Sequence, residues 1–323
     1  MAKFILFADD TNIFVIGPNK KDAAKLANSV LNAVYSYMKS NKLHINYKKC
    51  CFMHFNPGKT RKNAPDPFDE PLLINGIEID EVKETKFLGV TIDNQLSWIP
   101  HIKNLTKKLK YNSGMLNRIK DFVPQSHHKS LYYTLFESHL TYGITVWGGV
   151  ADSILNPIFV AQKRCIRIMF GDKAAYLDKF KTCVRARTGD SQKLGSEFYM
   201  KEHTKPLFNT HEILVTQHLY HYHTILNTFK ILKTHTPISL YSCYKFSQSQ
   251  RRALQLITSF NSHNFMYKSG TLWNIFKTSE HLNEVNDFSA SFNWVKTILK
   301  EWLFRLQRLG DQCEWADENF ILW

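Results

Sequence analysis

Residues 3–16 read KFILFADDTNIFVI, an apolar run, a polar tetrad and a second apolar run. The Phe, Ile and Val on either side predict two β-strands, and the short polar break between them predicts a hairpin with Asp9-Asp10 at its tip. No Asn-Gly or Asp-Gly pair marks this turn, so the prediction rests on the strands. Working outward, Gly17-Pro18 ends the hairpin and Asp22 is placed to cap a helix. In that helix Leu26, Ala27, Val30, Ala33, Val34, Tyr37 and Met38 recur at the i, i+3, i+4 spacing of one buried face. Short strands are expected near residues 43–45 and 51–55, then a Pro-rich surface loop over 56–71. Residues 72–79 and 86–92 read as two more strands. The order β-β-α-β-β-loop-β-β over residues 1–96 is an α+β layer.

From Trp98 onward the texture becomes helical. Ile102, Leu105, Leu109, Leu116 and Ile119 form one apolar stripe, and Lys103, Lys107 and Lys110 form a basic row on another face. Residues 131–147 and 154–170 predict two further helices, the second ending at Gly171 as a C-cap. Residues 172–210 are polar and weakly periodic, and are expected to be a linker or loop-rich crossing. Within 211–323, helices are expected over 211–233 and 293–309, separated by a Ser- and aromatic-rich stretch at 241–276. The domains predicted are therefore 1–96, 97–171, 172–210 and 211–323. No internal repeat stands out.

The 323 residues, 44% hydrophobic and 22% charged, carry enough apolar material for about two domains of the usual ~150 residues. With 13 Gly and 10 Pro, a collagen-like or low-complexity chain is excluded. The longest stretches without Asp, Glu, Lys or Arg, residues 138–151, 213–229 and 253–267, are too short or too polar for the ~20 apolar residues of a membrane span. A soluble protein with no membrane partner is expected. Asp9-Asp10 interrupts the apolar start, so no export signal is expected either. Six cysteines without a Cys-x-x-Cys pair point to a reducing, intracellular setting, nucleus or cytoplasm. The clearest functional clue is charge: 42 Lys+Arg against 28 Asp+Glu leave +14. That excess is segregated. Residues 94–120 hold no acid and six basic side chains, and residues 213–279 hold no acid and seven. One-signed stretches of this kind favour a polyanion such as nucleic acid over a small neutral substrate.

The tetrad Phe7-Ala8-Asp9-Asp10 sets paired carboxylates at a hairpin tip, a place suited to Mg2+, which takes hard oxygen ligands. Two such ions ~3.5–4 Å apart hold the attacking and leaving oxygens of a phosphoryl transfer. Asp also favours turns for backbone reasons, so the tetrad by itself is better read as an ordinary turn. The order of the segments that follow carries more. FADDTNIF (7–14), an amphipathic helix, NKLHINYKKCCFMHF (41–55) and KFLGVTIDNQLSWIPHI (86–102) resemble the C-terminal half of the palm of reverse transcriptases of non-LTR retrotransposons, followed by their helical thumb. Val146-Trp147-Gly148 and QKRCIRIMFG (162–171) resemble the segments that end that thumb. SGTLWNIF (269–276) and FNWVKTILKEWL (292–303) are similar, more loosely, to the region after it.

The resemblance implies an α+β partial palm, a mostly helical thumb and a C-terminal helical region. It implies RNA-directed DNA polymerase activity: nucleotidyl transfer from a deoxynucleoside triphosphate to a DNA primer on an RNA template, with two Mg2+. Asp9 and Asp10 match the metal-binding carboxylates, and Lys49 matches a lysine that donates a proton to the leaving pyrophosphate. Phe87-Leu88-Gly89-Val90 matches the hairpin that grips the primer end, and Gly89 also suits a backbone that must approach a ligand closely. Lys103, Lys107 and Lys110 fit a thumb helix following an RNA–DNA duplex by its phosphates. The family's third carboxylate comes from a strand ahead of the Asp-Asp hairpin. Only Met1 to Ala8 precede the Asp pair, without an acid, so the isolated chain is expected to lack the fingers and first palm strand and to be inactive. The alternative is a non-catalytic nucleic-acid-binding fragment. His218, His221 and His223 share one helical stretch without further ligands at metal-site spacing, and a surface or core role is expected for them.

Overall fold

The computed structural model describes residues 1–55, 70–171, 204–246, 256–257, 265–278 and 290–309. The Pro-rich loop expected at 56–71 and the crossing expected at 172–210 fall mostly outside them. The chain forms two compact units, Met1–His101 and Ile102–Trp323.

The first unit opens with the predicted hairpin. Strand β1 (Ala2–Phe7) runs antiparallel to β2 (Asp10–Val15), with Phe7 opposite Asp10 and Ala2 opposite Val15. Helix α1 (Lys20–Ser40) follows. Its cap is Asn19 rather than Asp22: the Asn19 side chain accepts from the Asp22 backbone N–H at 2.8 Å and donates to the Asp22 carboxylate at 2.8 Å. This reciprocal pair satisfies an orphan donor and puts negative charge at the positive end of the helix. The buried face of α1 is offset from the predicted one. Ala24 and Ala27 are its buried residues, with Leu31 and Tyr35 beside them, while Ala33 and Tyr37 face solvent. The two alanines let Leu72, Ile74 and Ile79 pack close to the helix, and Val15, Ile45 and Phe52 close the cluster.

Two segments read as single strands are hairpins. β4 (Leu73–Ile74) and β5 (Ile77–Glu78) turn at Asn75-Gly76, with φ of 52° and 77°. β7 (Glu84–Phe87) and β8 (Val90–Asp93) turn at Leu88-Gly89, with φ of 45° and 83°. Two central residues in the left-handed region make a turn whose twist suits its strands. β3 (Cys51–Phe52) pairs parallel with β6 (Asp80–Glu81). Residues 43–45 form no strand; they lead instead into a 3₁₀ turn at Tyr47–Lys49.

Helix α2 (Ile99–Ile119) carries the chain into the second unit and buries the predicted stripe: Ile102, Leu105, Leu109 and Leu116 are buried and Ile119 half-buried. The helix expected over 131–147 is broken into α3 (His128–Tyr132), a π-helical turn (Tyr133–Glu137), α4 (Ser138–Thr141) and α5 (Ile144–Trp147). Gly143, at φ 63°, separates the last two. Helix α6 (Asp152–Phe170) buries Leu155, Ile158, Ala161, Cys165, Ile166 and Met169. Lys120 donates to the Ile168 carbonyl at 2.7 Å, and a ring nitrogen of His128 lies 3.0 Å from the Met169 carbonyl, so the C-terminal end of α6 is capped by side chains.

Part of the expected crossing is a helix, α7 (Lys205–Thr210), which buries Phe208. Helix α8 begins at Thr216, not at 211, and runs to Thr234. It is buried on most sides, by Leu219, Tyr220, Ile225, Phe229 and Leu232 among others, as a helix packed all round should be. After the short α9 (Ile238–Tyr241) and the strand pair β9 (Lys245–Phe246) and β10 (Leu256–Ile257), α10 (Phe265–Thr278) and α11 (Phe292–Leu309) pack against α8. Residues 241–276 are therefore partly helical. Among the described residues no helix is long and apolar enough to cross a membrane.

Candidate nucleic-acid interface

At the tip of the first hairpin, Ala8 takes φ 49° and Asp9 completes the two-residue loop, so Asp10 is the first residue of β2. Both carboxylates are exposed. Asp10 shares its cross-strand position with Phe7, whereas Asp9 belongs to the turn. They offer the oxygen donors that Mg2+ prefers. Among the described residues, however, no group of three or more His, Cys, Asp or Glu gathers at this or any other place. Two carboxylates on one tip do not make up a two-ion set, since two close cations need more negative ligands to offset their repulsion. The strand leading to the tip is bare: Phe4, Leu6 and Phe7 are 52%, 70% and 60% exposed. Among the described residues β2 is the one strand paired with β1. An open, apolar edge of this kind is a template for a further strand.

Lys49 ends the 3₁₀ turn and is exposed, while its neighbours Tyr47 and Cys50 pack on the core of the first unit. No ion pair joins Lys49 to the carboxylates of the tip among the described residues. The Phe87-Leu88-Gly89-Val90 segment is the turn of the β7–β8 hairpin. Val90 is buried, Phe87 half-buried and Leu88 exposed, so the segment is anchored at its ends and open at its tip. A side chain at Gly89 would be strained by its φ of 83°.

The exit from this hairpin turns on Asp93, a residue not among those expected from the sequence. Asp93, buried, accepts from the Ser97 N–H at 3.0 Å and the Trp98 N–H at 2.9 Å, and its carbonyl accepts from the Leu96 N–H at 2.9 Å. These bonds hold Leu96 and Trp98 at φ of 54° and 63° and form the turn that starts α2. The sequence does hold a signal for it: an Asp a few residues ahead of a helix, in a polar Asp-Asn-Gln-Leu-Ser stretch, is where side-chain-to-backbone bonds form. His101, buried in the first turn of α2, lies 3.3 Å from the Thr91 N–H through Nδ1, and burial lowers its pKa.

On α2 the predicted basic row is exposed. Lys103, Lys107 and Lys110 stand at i, i+4 and i+7, with Tyr111, 70% exposed, next to them. None of the three lysines enters an ion pair among the described residues. An uncompensated cationic row with an exposed aromatic suits a phosphate backbone and the faces of its bases. Lys120, the last basic residue of the acid-free stretch, is buried on the Ile168 carbonyl and takes no part in this surface.

The histidines of α8 are half-buried. The His218 and His221 rings lie 6.1 Å apart, and burial pushes their pKa values down to about 4 and about 3. That of His223 is lowered by burial and by Lys296. All three are neutral at pH 7.

Residues 1–92 match the reverse transcriptase (RNA-dependent DNA polymerase) family. Over 165 residues, 50% of the chain, the sequence is 28% identical to a Drosophila melanogaster protein described as a probable RNA-directed DNA polymerase from transposon BS. Over 168 residues, 51% of the chain, it is 23% identical to the RNA-directed DNA polymerase from mobile element jockey of the same fly, and 24% identical to that of Drosophila funebris. The matched stretch is 18% of the length of each of these relatives. No solved structure matches the chain.

Proposed function

We propose, from the kinship of this chain with the reverse transcriptases of non-LTR retrotransposons, that it serves RNA-templated DNA synthesis as part of a palm and the thumb that follows it. In this reading α2 holds the primer–template duplex by its phosphates, and the Leu88-Gly89 tip rests on the primer end. Asp9 and Asp10 supply two of the carboxylates for Mg2+, which when bound neutralises charge on the phosphates of the incoming nucleotide. Lys49 protonates the leaving pyrophosphate. The observation that carries the proposal is the exposed row Lys103, Lys107 and Lys110, without an ion pair among the described residues, directly after a reverse-transcriptase-like hairpin.

A second reading, a nucleic-acid-binding protein without catalysis, is favoured by the Asp pair standing without a third acid among the described residues. Primer extension on an RNA template with Mg2+ separates the two. Templated synthesis by the chain that disappears in Asp9→Asn supports the polymerase. Salt-sensitive duplex binding without synthesis supports the binder, and the absence of any salt-sensitive binding overturns both.

A further inference from the structure

The second unit holds a pocket of about 280 Å³ that the interface does not use, walled by the π-helical turn, α4, the approach to α8 and α11. One extra residue per turn widens a helix, and such turns recur at binding sites. Glu137 ends this turn and lines the pocket. One side of its carboxylate is held from within, because Gln162 donates to the Tyr132 hydroxyl at 3.0 Å and Tyr132 in turn bonds Glu137. The other oxygen, Oε2, is buried with no hydrogen-bond partner among the described residues. A buried acceptor left bare is costly, which is why such groups in folded proteins have a partner.

The surroundings narrow what that partner is. Tyr133 and Tyr222 bring aromatic surface to the walls, and Glu212, paired with Lys129 at 3.9 Å, adds a second acid. The two carboxylates reject an anionic group at their end of the pocket. A free organic cation is disfavoured by the chain's net +14 and by Lys300 on the wall. What remains is a neutral, planar group with N–H donors, on a scaffold whose phosphate the lysines attract. A carboxylate only accepts, so it suits an edge with two adjacent donors. Guanine has that edge in N1–H and the 2-amino group, whereas adenine and cytosine set an acceptor beside their amine. The volume lies at the small end of ligand pockets, fit for one nucleoside.

We infer that this pocket takes one guanine, unstacked from single-stranded RNA or as a free nucleotide, with its Watson–Crick edge on Glu137; the inference rests on the reading of the chain as a nucleic-acid-binding protein. Burial raises the Glu137 pKa to about 7, against the pull of Lys300. The carboxylate is therefore ionised, and the binding preference fullest, above neutral pH. The other charged or titrating groups around it are Lys300 on α11, Lys129 on α3, Tyr132, Tyr133, Glu212, and Tyr222 and His223 on α8.

The test is calorimetric titration of the full chain at pH 8 with GMP, IMP and AMP, and with an unstructured RNA hexamer holding one G against the same hexamer with A in its place. GMP binding some 5- to 150-fold tighter than AMP is expected, the discrimination of one good bidentate base contact. IMP, which lacks the 2-amino group, falls between them. Glu137→Gln, which presents one donor and one acceptor, should abolish the preference with thermal unfolding still cooperative. A preference seen with GMP but not in the hexamers assigns the site to free nucleotide, and one seen in both assigns it to RNA. Equal binding of GMP and AMP, no binding of either, or an unchanged preference in Glu137→Gln overturns the inference. Salt-dependent duplex binding, measured alongside, hides Watson–Crick edges and reports on the lysine row alone, so the two readings fail separately.

Discussion

Gln162 and Gln307 treat residues 213–216 as the neighbours of a β-strand would. Gln162 donates to the Leu214 carbonyl at 2.9 Å and accepts from the Thr216 N–H at 2.9 Å and its hydroxyl at 2.8 Å. Gln307 donates to the Ile213 carbonyl at 3.0 Å and accepts from the Val215 N–H at 3.1 Å. Each amide takes the C=O of one residue and the N–H two residues on, which is how a buried extended segment is satisfied without a sheet. Gln162 lies on α6 and Gln307 on α11, so both helices are tied to the start of α8.

Replacing Gln162, fully buried, by Leu should therefore leave a carbonyl, an N–H and a hydroxyl without partners. The expected loss is ~2–4 kcal/mol, from a drop in urea midpoint at constant slope. Asn227→Ala, at an exposed position of α8, should stay within about 0.5 kcal/mol. Equal effects at the two sites would refute the clamp.

Glu137 gives a signed dependence on pH. Its pKa rises from 4.5 when unfolded to about 7 when folded, chiefly through burial. The folded state then binds more protons between those values, so this group costs stability as pH climbs from about 4.5 to 7, and the cost is complete above 7. Glu137→Gln should be nearly neutral at pH 4 and stabilising by ~1–3 kcal/mol at pH 8. A difference between variant and parent that does not change with pH would count against a buried carboxyl here.

His218 and His221 act in the other direction. Their pKa values lie below the ordinary 6.5, at about 4 and about 3, because burial disfavours the charged ring. The unfolded chain takes up protons first, so stability falls as pH drops below about 6.5. Each histidine contributes a slope of up to about 1.4 kcal/mol per pH unit. His221→Phe should flatten the loss between pH 6 and pH 4, read from urea midpoints across that range. An unchanged slope would place His221 in contact with solvent.

The lysine row is testable without any assumption about catalysis. Changing Lys103, Lys107 and Lys110 to Ala should reduce the slope of log K against log salt for an RNA–DNA duplex by roughly two to three, close to one for each phosphate that is no longer neutralised. Lys120→Met should leave that slope alone and lower stability instead, since its ammonium sits on the Ile168 carbonyl. A triple variant with the parent's slope would remove α2 from the interface.

How much of this is legible in the sequence depends on whether neighbours along the chain are also neighbours in space. The FILF and NIFV runs around Asp9-Asp10 fold locally, and their hairpin follows from the pattern. The apolar stripe of α2 likewise repeats along a single helix. Asn75-Gly76 is equally local, yet apolar residues flank it so closely that the stretch reads as one strand. The start of α8 is not legible. Residues 211–215 carry helix-compatible side chains, but 211–212 form a turn and 213–215 are held extended by two glutamines far away in sequence. The offset face of α1 has a similar cause: Ala27 of the predicted stripe is buried, but Leu72 and Ile74 pack there with the small Ala24, outside that stripe, while Ala33 and Tyr37 are left in solvent. Of the candidate site, residue types and exposure are readable, whereas the turn built by Asp93 and the bare oxygen of Glu137 depend on packing that no spacing rule encodes.

The glutamine clamp also bears on how such a chain can be cut, by a protease, by an engineer or by evolution. A piece ending at Gly171 would keep Gln162 but lose the strand-like segment it serves, and would turn the buried side of α6 outward to water. The described residues after Gly171 are thus part of the core of the second unit rather than an appendage to it. Any shortened version that stays folded must keep the 213–216 segment and Gln307 along with Gln162, or exchange Gln162 for an apolar side chain.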